Sequence, residues 1–345
     1  DLPSATTGNR TMKTPVRIAV SGAAGQISYS LLFRLIAGDL LGPDQPVELR
    51  LLEVPQMVAT LEGVAMELAD CAAPLLHALS CHSIPEEAFD QAELVFLVGA
   101  QPRGPGMQRR DLLTVNADIF STQGRALNEV AHRDVKVLVV GNPVNTNALI
   151  AARNAPDLPA HNFTALTRLD HNRAVSLLAA QSGHNPAEID GVIIWGNHSL
   201  TQHPDLLHAR VAGQSALECV GRTWFEQNFI GTVQNRGGDI IRVRGKSSAA
   251  SGANAALDHM RDWIFGTPEG RWTSMAVLSD GSYGIEPGLM YSFPVRVRDG
   301  AWQIVQGLPL DAFTQSRLRL SEAELKEERA MVRHLLPCAS GARLG

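Results

Sequence analysis

No apolar run in the 345-residue chain approaches the roughly 20 residues a membrane-spanning helix requires, which excludes a span of that kind in this sequence. Nor is there an excess of basic charge: 30 Lys and Arg stand against 35 Asp and Glu, a net charge of -5. A nucleic-acid binder would carry a basic face or tail, so that class is set aside. The four cysteines, Cys71, Cys81, Cys219 and Cys338, form no C-x-x-C pair, and reduced thiols in a cytoplasmic protein are expected. Residues 1–15 are polar and lack a hydrophobic region, so they read as a flexible extension instead of a signal peptide. Internal repeats and low-complexity segments are absent. Gly245-Lys246-Ser247 resembles the end of a P-loop, but the glycine required upstream falls at Ile240. His198, His203 and His208 are spaced by fives, which does not stack on one helix face, and no acidic residue completes a zinc pattern; no metal is expected.

What is present is ordinary for a globular protein, with 45% apolar and 19% charged residues, and the length suits two domains. Apolar runs of strand length cover residues 16–20, 47–52, 94–98 and 135–140, with helical patterns over 26–37, 58–76 and 111–131 between them. A fifth strand near 163–167 leads into a helix from about His171. Strands that are apolar throughout, alternating with helices, predict a Rossmann-type doubly wound parallel sheet over residues 16–160. The pattern breaks at 154–159, and residues 161–336 read as a mixed α/β substrate domain before a flexible tail at 337–345. In that second half a strand is expected at 191–195, long helices at 216–233 and 248–265, and an antiparallel meander at 272–277, 289–297 and 301–305. Ser321 and Glu324 form an S-x-x-E capping box that would open the last helix, running to about Leu335.

Five segments carry candidate chemistry. The first strand runs through Gly22, Ala23, Ala24, Gly25, Gln26, Ile27 and Ser28 straight into a helix. Small residues there admit a pyrophosphate, and the helix N-terminus offers free amides and a positive dipole end. The spacing is G-x-x-G-x-x-S, which also fits a structural turn. Glu53 ends the second strand, where a carboxylate can bind the adenosine ribose and repel a 2′-phosphate, favouring NAD over NADP. After the third strand, Arg103, Arg109 and Arg110 lie among Gly and Pro, placing guanidinium groups on a loop suited to a carboxylate ligand. The same arginines also fit a solvated basic turn. Asp170 and Arg173 share one face at a helix start, and His198 follows an apolar strand. An Asp that orients a His tunes an acid–base group, although a lone His past a strand is more often structural.

In this order the motifs resemble the cytosolic-type malate dehydrogenases of the lactate/malate dehydrogenase superfamily. The resemblance rests on residues 22–27, 61–68, 102–113, 141–147, 169–173, 195–199 and 266–270, and extends over 16–333. It implies NAD as cofactor and L-malate and oxaloacetate as substrates. It further implies His198 as proton acceptor in malate oxidation, Asp170 as its orienting carboxylate, and Arg173 on the carboxylate beside the reacting carbon. Arg109 would polarise the keto oxygen and Arg103 bind the distal carboxylate. Asn142 would bridge substrate and cofactor, with Asn116, Gln123, Val140 and Gly141 lining the NAD site and Ser248 near the nicotinamide. Ser28 stands where many members have Gly or Ala, which would loosen packing near the pyrophosphate. An NADP-linked branch shares that Ser, but it has a neutral residue where Glu53 stands and paired cysteines in both extensions. A homodimer is implied, with the helix at 58–76 offering part of the interface or serving as an ordinary buried helix. A lactate dehydrogenase would lack an arginine for the distal carboxylate, and a binding protein that had lost catalysis would lack the His198 constellation.

Overall fold

Six short stretches, five of them largely buried and the sixth a partly exposed edge, lie side by side as parallel strands. They are β1 (Val16–Ser21), β2 (Val47–Leu52), β3 (Leu76–His82), β4 (Leu94–Leu97), β5 (Lys136–Val139) and β6 (Phe163–Ala165). The computed structural model describes the backbone of residues 13–101 and 109–337, and all their side chains except those of Arg109 and Arg110. The parallel strands run in the order β3-β2-β1-β4-β5-β6. That order reverses direction between β1 and β4, the switch point at which open α/β sheets bind ligands. Helices α1 (Gln26–Ile36) and α2 (Val58–Asp70) bury Leu31, Leu35, Leu61 and Leu68 on one face. Helices α3 (Pro85–Phe89), α4 (Arg109–Val130) and α5 (Val144–Arg153) cover the other with Phe89, Leu113, Phe120 and Leu149.

In the second half α6 (Arg168–Ser182) leads through β7 (Ile189–Asp190) to β8 (Ile193–Trp195) and its antiparallel neighbour β9 (His203–Asp205). Strands β10 (Arg210–Val211) and β11 (Gln214–Ser215) join β7 in a small sheet. Helices α7 (Ala216–Val220), α8 (Arg222–Trp224), α9 (Ile230–Arg244) and α10 (Ala250–Phe265) follow, and α10 packs on α1. The expected meander is β12 (Thr273–Leu278), β13 (Met290–Arg298) and β14 (Ala301–Ile304). Strand β12 pairs antiparallel with β6 through Ala276 and Ala165, so one sheet of nine strands runs through both halves. The last long helix is α11 (Ala312–Met331).

Three expectations are corrected. The helix expected over 58–76 stops at Asp70; Ala72 takes a positive φ of 46°, and the chain turns into β3. This edge strand, LHALSCH, is partly exposed along its length and lacks the β-branched residues that mark its buried neighbours. The helix expected over 216–233 breaks at Gly221, whose φ of +81° no continuous helix accommodates. It resumes through a widened turn at Phe225–Phe229 and extends to Arg244. Finally, Ser321 and Glu324 do not cap α11. Asp311 does, its carboxylate accepting the Thr314 amide at 2.8 Å, and buried Leu318 and Leu325 carry one apolar stripe past Ser321.

Candidate active site

The cofactor side of the site is made where side chains are missing. Gly22 turns β1 toward α1 with φ +63°, and a Cβ there would fall 2.4 Å from the Gly99 Cα at the end of β4. The two turns therefore meet backbone against backbone. Gly141, after β5, is equally confined: a Cβ would lie 2.8 Å from that of Ala100 and 3.0 Å from the Val98 carbonyl. The amides of Val140 and Gly141 both donate to the Leu97 carbonyl, at 2.9 and 3.0 Å. Gly25 stands at the N-cap of α1 with no side-chain cap, so Gln26, Ile27 and Ser28 open the helix toward the turn. Glu53 reaches the same turn, its carboxylate accepting the amides of Ala24 at 3.1 Å and Val54 at 3.0 Å. Ala23 is fully buried and its amide donates to the Leu52 carbonyl at 3.2 Å. This cradle, closed to any Cβ and opening on a helix N-terminus, fits a dinucleotide.

Ser28 is fully buried, and its hydroxyl has no hydrogen-bond partner among the described residues. Asn116 and Gln123 are buried on α4. Asn116 Oδ1 accepts the Gln101 amide at 2.8 Å and its Nδ2 donates to the carbonyls of Gln101 and Leu112 at 3.2 and 3.0 Å. Its carboxamide thus anchors Gln101, at the head of the arginine-bearing segment. Gln123 Oε1 has no partner among the described residues. Arg103 and the side chain of Arg109 lie outside the described residues, while the Arg109 backbone opens α4.

The catalytic side is built from side chains brought in by separate elements. Asp170 sits fully buried in the first turn of α6 and its carboxylate is shared. One oxygen holds His198 Nδ1 in a short hydrogen bond, and the other accepts Arg173 Nη1 at 3.5 Å. Arg173 Nη2 donates to Ser248 Oγ at 3.0 Å, which brings the start of α10 to the same place. The His198 backbone amide donates to Asn145 Oδ1 at 2.9 Å, and Asn145 Nδ2 donates to the carbonyls of Gly196 and Met290. Asn142 is exposed at the start of that turn. The sequence pairs Asp170 with Arg173, the resemblance adds His198 to Asp170 and names Ser248 apart, and the fold brings all four together.

Two histidines near this carboxylate behave in opposite ways. Burial pulls His198 down, but the charge and hydrogen bond of Asp170 outweigh burial and the nearby Arg173, so its imidazolium is held above the ordinary value. His171, next to Asp170 in sequence, is pushed down to about 3 by burial and by Arg168, and its Nδ1 lies 2.9 Å from Ser274 Oγ. It is a neutral packing residue. Burial also lowers the Arg173 guanidinium; Asp170 works against this, and the like charge of Arg236 on α9 adds to it. Beside Arg236, Gly237 of α9 lies against the Arg173 guanidinium, where a Cβ would fall 3.8 Å from Nη1, an ordinary contact distance. Arg236 and Asn145 had not been singled out. Asn145 lies within a motif already noted, whereas Arg236 carries no local signal.

Comparison with known proteins shows the family. Residues 16–164 match the family described as lactate/malate dehydrogenase, NAD binding domain, and residues 167–335 match lactate/malate dehydrogenase, alpha/beta C-terminal domain. Malate dehydrogenase from Naegleria fowleri is 49% identical over 94% of this chain and 100% of its own, with a TM-score of 0.92. Lactate dehydrogenase from Trichomonas vaginalis, in complex with NADH and oxamate, is 35% identical over 93% of this chain and 99% of its own, with a TM-score of 0.90. Malate dehydrogenase from Plasmodium falciparum shares the fold at 21% identity, covering 93% of this chain and 99% of its own, with a TM-score of 0.78. The chain belongs to the lactate/malate dehydrogenase family and is an NAD-binding oxidoreductase.

Proposed function

We propose that the chain is an NAD-dependent malate dehydrogenase, interconverting L-malate and oxaloacetate, and that the buried Asp170–His198 pair beside Arg173 carries the reading. When bound, the nicotinamide supplies or accepts the hydride. The protein supplies the proton and holds the anion. With Nδ1 donating to Asp170, His198 presents Nε2 as the atom that takes the malate hydroxyl proton and returns it in the reverse direction. Asp170 stabilises the imidazolium so formed. Arg173 clamps the carboxylate beside the reacting carbon, with Ser248 steadying its far nitrogen. Arg109 polarises the keto oxygen, Arg103 meets the distal carboxylate, and Asn142 spans substrate and cofactor. Arg173 and Arg236 together outnumber the Asp170 carboxylate by one charge, which suits this part of the site to an anion.

The likeness to the Naegleria malate dehydrogenase supports malate, and the likeness to the Trichomonas enzyme supports lactate as the second reading. NADH oxidation with oxaloacetate, pyruvate or no substrate separates them. Malate dehydrogenase activity requires a clear excess of kcat/KM for oxaloacetate, and Arg103→Gln should lower it about 30- to 3000-fold while sparing pyruvate. Equal use of both keto acids by the wild type would replace this reading with the second.

We also read the chain as a cytoplasmic homodimer. Val54, Met57 and Met66, on and just before α2, expose apolar surface suited to a second copy. Sedimentation at the mass of a single 37.1 kDa chain would reject the dimer.

A further inference from the structure

Helix α11 faces the loop after β8 with one edge of polar side chains. Ser321 Oγ accepts the Asn197 backbone amide at 2.8 Å. One turn on, Glu324 Oε2 accepts the Asn197 side-chain amide at 2.8 Å, the Thr201 hydroxyl at 2.7 Å and, in a shorter bond, the Ser199 hydroxyl. A further turn on, Glu328 Oε1 takes the same Asn197 amide at 3.1 Å, and its other oxygen takes the Thr146 hydroxyl. The three residues follow the i, i+3, i+7 spacing of a single helix face. Gly196, with φ +95°, touches this edge directly, since a Cβ there would fall 2.2 Å from Ser321 Oγ.

His198 lies inside the clamped stretch, flanked by Asn197 and Ser199, and its own backbone is held from the opposite side by Asn145. Thr146, the neighbour of Asn145, is in turn fastened by Glu328, so α11 secures both banks of the loop. The bonds described for Ser321 and the two glutamates go to Asn197, Ser199, Thr201 and Thr146, on either side of His198. Hydrogen bonds to an ionised carboxylate are about twice as strong as neutral ones, which suits them to fixing a loop that lacks regular structure.

We infer that Ser321, Glu324 and Glu328 are positioning residues: the edge of α11 holds the 196–201 loop so that the His198 imidazole stays against Asp170 in proton-transfer geometry. The inference rests on reading His198 as the proton-transfer group. A misplacement of about 1 Å at a reacting group can cost on the order of 100-fold in rate, so a loop clamp of this kind has a kinetic effect without contacting substrate.

The test uses the full chain with Ser321→Ala, which changes no charge, and Glu324→Gln, which removes one. Turnover with oxaloacetate and NADH is measured together with the KM for oxaloacetate, NADH affinity, thermal unfolding, and an NMR titration of the His198 ring. The groups facing that ring, Asp170 and Arg173 of α6, remain in place in both variants. Expected is a fall in kcat of about 10- to 100-fold, with NADH affinity and KM changing by less than about threefold. The His198 titration should move down toward the ordinary value as its hold on Asp170 loosens. A downward move in Ser321→Ala is geometric, since the variant alters no charge. Should either variant fail to fold, Ser199→Ala removes one donor to Glu324 and should give the same signature at smaller size. Wild-type kcat and an unmoved His198 titration, even with a lowered melting temperature, would reduce the edge to plain stabilisation and overturn the inference. Failure of the underlying reading is seen separately, as retained turnover in His198→Asn.

Discussion

The two sides of the candidate site are made by opposite means. On the cofactor side the decisive atoms are absent: Gly22, Gly99 and Gly141 bring three strand ends together because no Cβ separates them. On the catalytic side the decisive atoms are present and come from far apart. His198 is held by Asp170 and Asn145, and Arg173 by Asp170 and Ser248, from elements spread between residues 145 and 248 and drawn from both domains. The first kind of construction is steric, so a substitution there strains backbone and ligand together. The second kind is electrostatic and hydrogen bonded, so a substitution can abolish chemistry while leaving the fold and the cofactor untouched.

The largest expected effect follows from that separation. His198→Asn should lower turnover about 10²- to 10⁴-fold, the loss typical of a missing acid–base group, with NADH affinity unchanged. On the proposed mechanism, oxaloacetate reduction needs His198 protonated and malate oxidation needs it neutral. Because Asp170 holds its pKa above the ordinary value, the reduction rate should fall as pH rises through that raised value, and the oxidation rate should rise. Stopped-flow rates in both directions across neutral pH check the signs. Loss of NADH binding in His198→Asn would mean that the two sides are not separable.

The same division explains what could be read from the sequence. Strands β1, β2, β4 and β5 announce themselves as apolar runs because both their faces are covered, and the switch-point turn lies within a few residues of β1. Edge strand β3 does not, since an exposed strand needs no apolar run. Asp170 with Arg173, and His198 after its strand, stand out as local clusters, although their union spans 28 residues and is a product of the fold. Ser321 and Glu324 were read as a cap because S-x-x-E is a local pattern; their partners lie 124 and 127 residues away, at Asn197. Such pairings leave no periodic mark. Arg236 is the extreme case: with Asp239 three residues on it reads as part of an ordinary charged helix face, and its place beside Arg173 is set by the fold.

A second, smaller effect tests the steric side. Gly22 and Gly183 both have positive φ, +63° and +72°, but nothing lies within 4 Å of a Cβ on Gly183. Gly183→Ala should therefore show only the conformational cost, about 1–2 kcal/mol, with NADH affinity intact. Gly22→Ala adds overlap with the Gly99 backbone, for a total of about 2–5 kcal/mol, and should weaken NADH in the folded fraction. Chemical denaturation and NADH fluorescence measure the two quantities. Equal losses in the two variants would show that close approach of the turns is not what shapes the cofactor side.

The smallest effect lies at Glu53, where a charged side chain meets the turn on the cofactor side. Its carboxylate already accepts the amides of Ala24 and Val54, so it is fixed at the end of β2 and cannot swing away from an added phosphate. Like charges brought together cost up to several kcal/mol, so NADH should be preferred over NADPH by about 10- to 1000-fold in kcat/KM. Glu53→Gln keeps one acceptor oxygen for the turn but removes the charge, and it presents an NH₂ toward the second amide donor. NADH should then weaken slightly while NADPH improves, narrowing the preference by about tenfold, or about 1.4 kcal/mol. Because the substitution lies on the steric side, it should leave the pH dependence of His198 where it was. A preference ratio unchanged in Glu53→Gln would assign this carboxylate to holding the turn alone, and the cofactor side would then be built from backbone and missing side chains without exception.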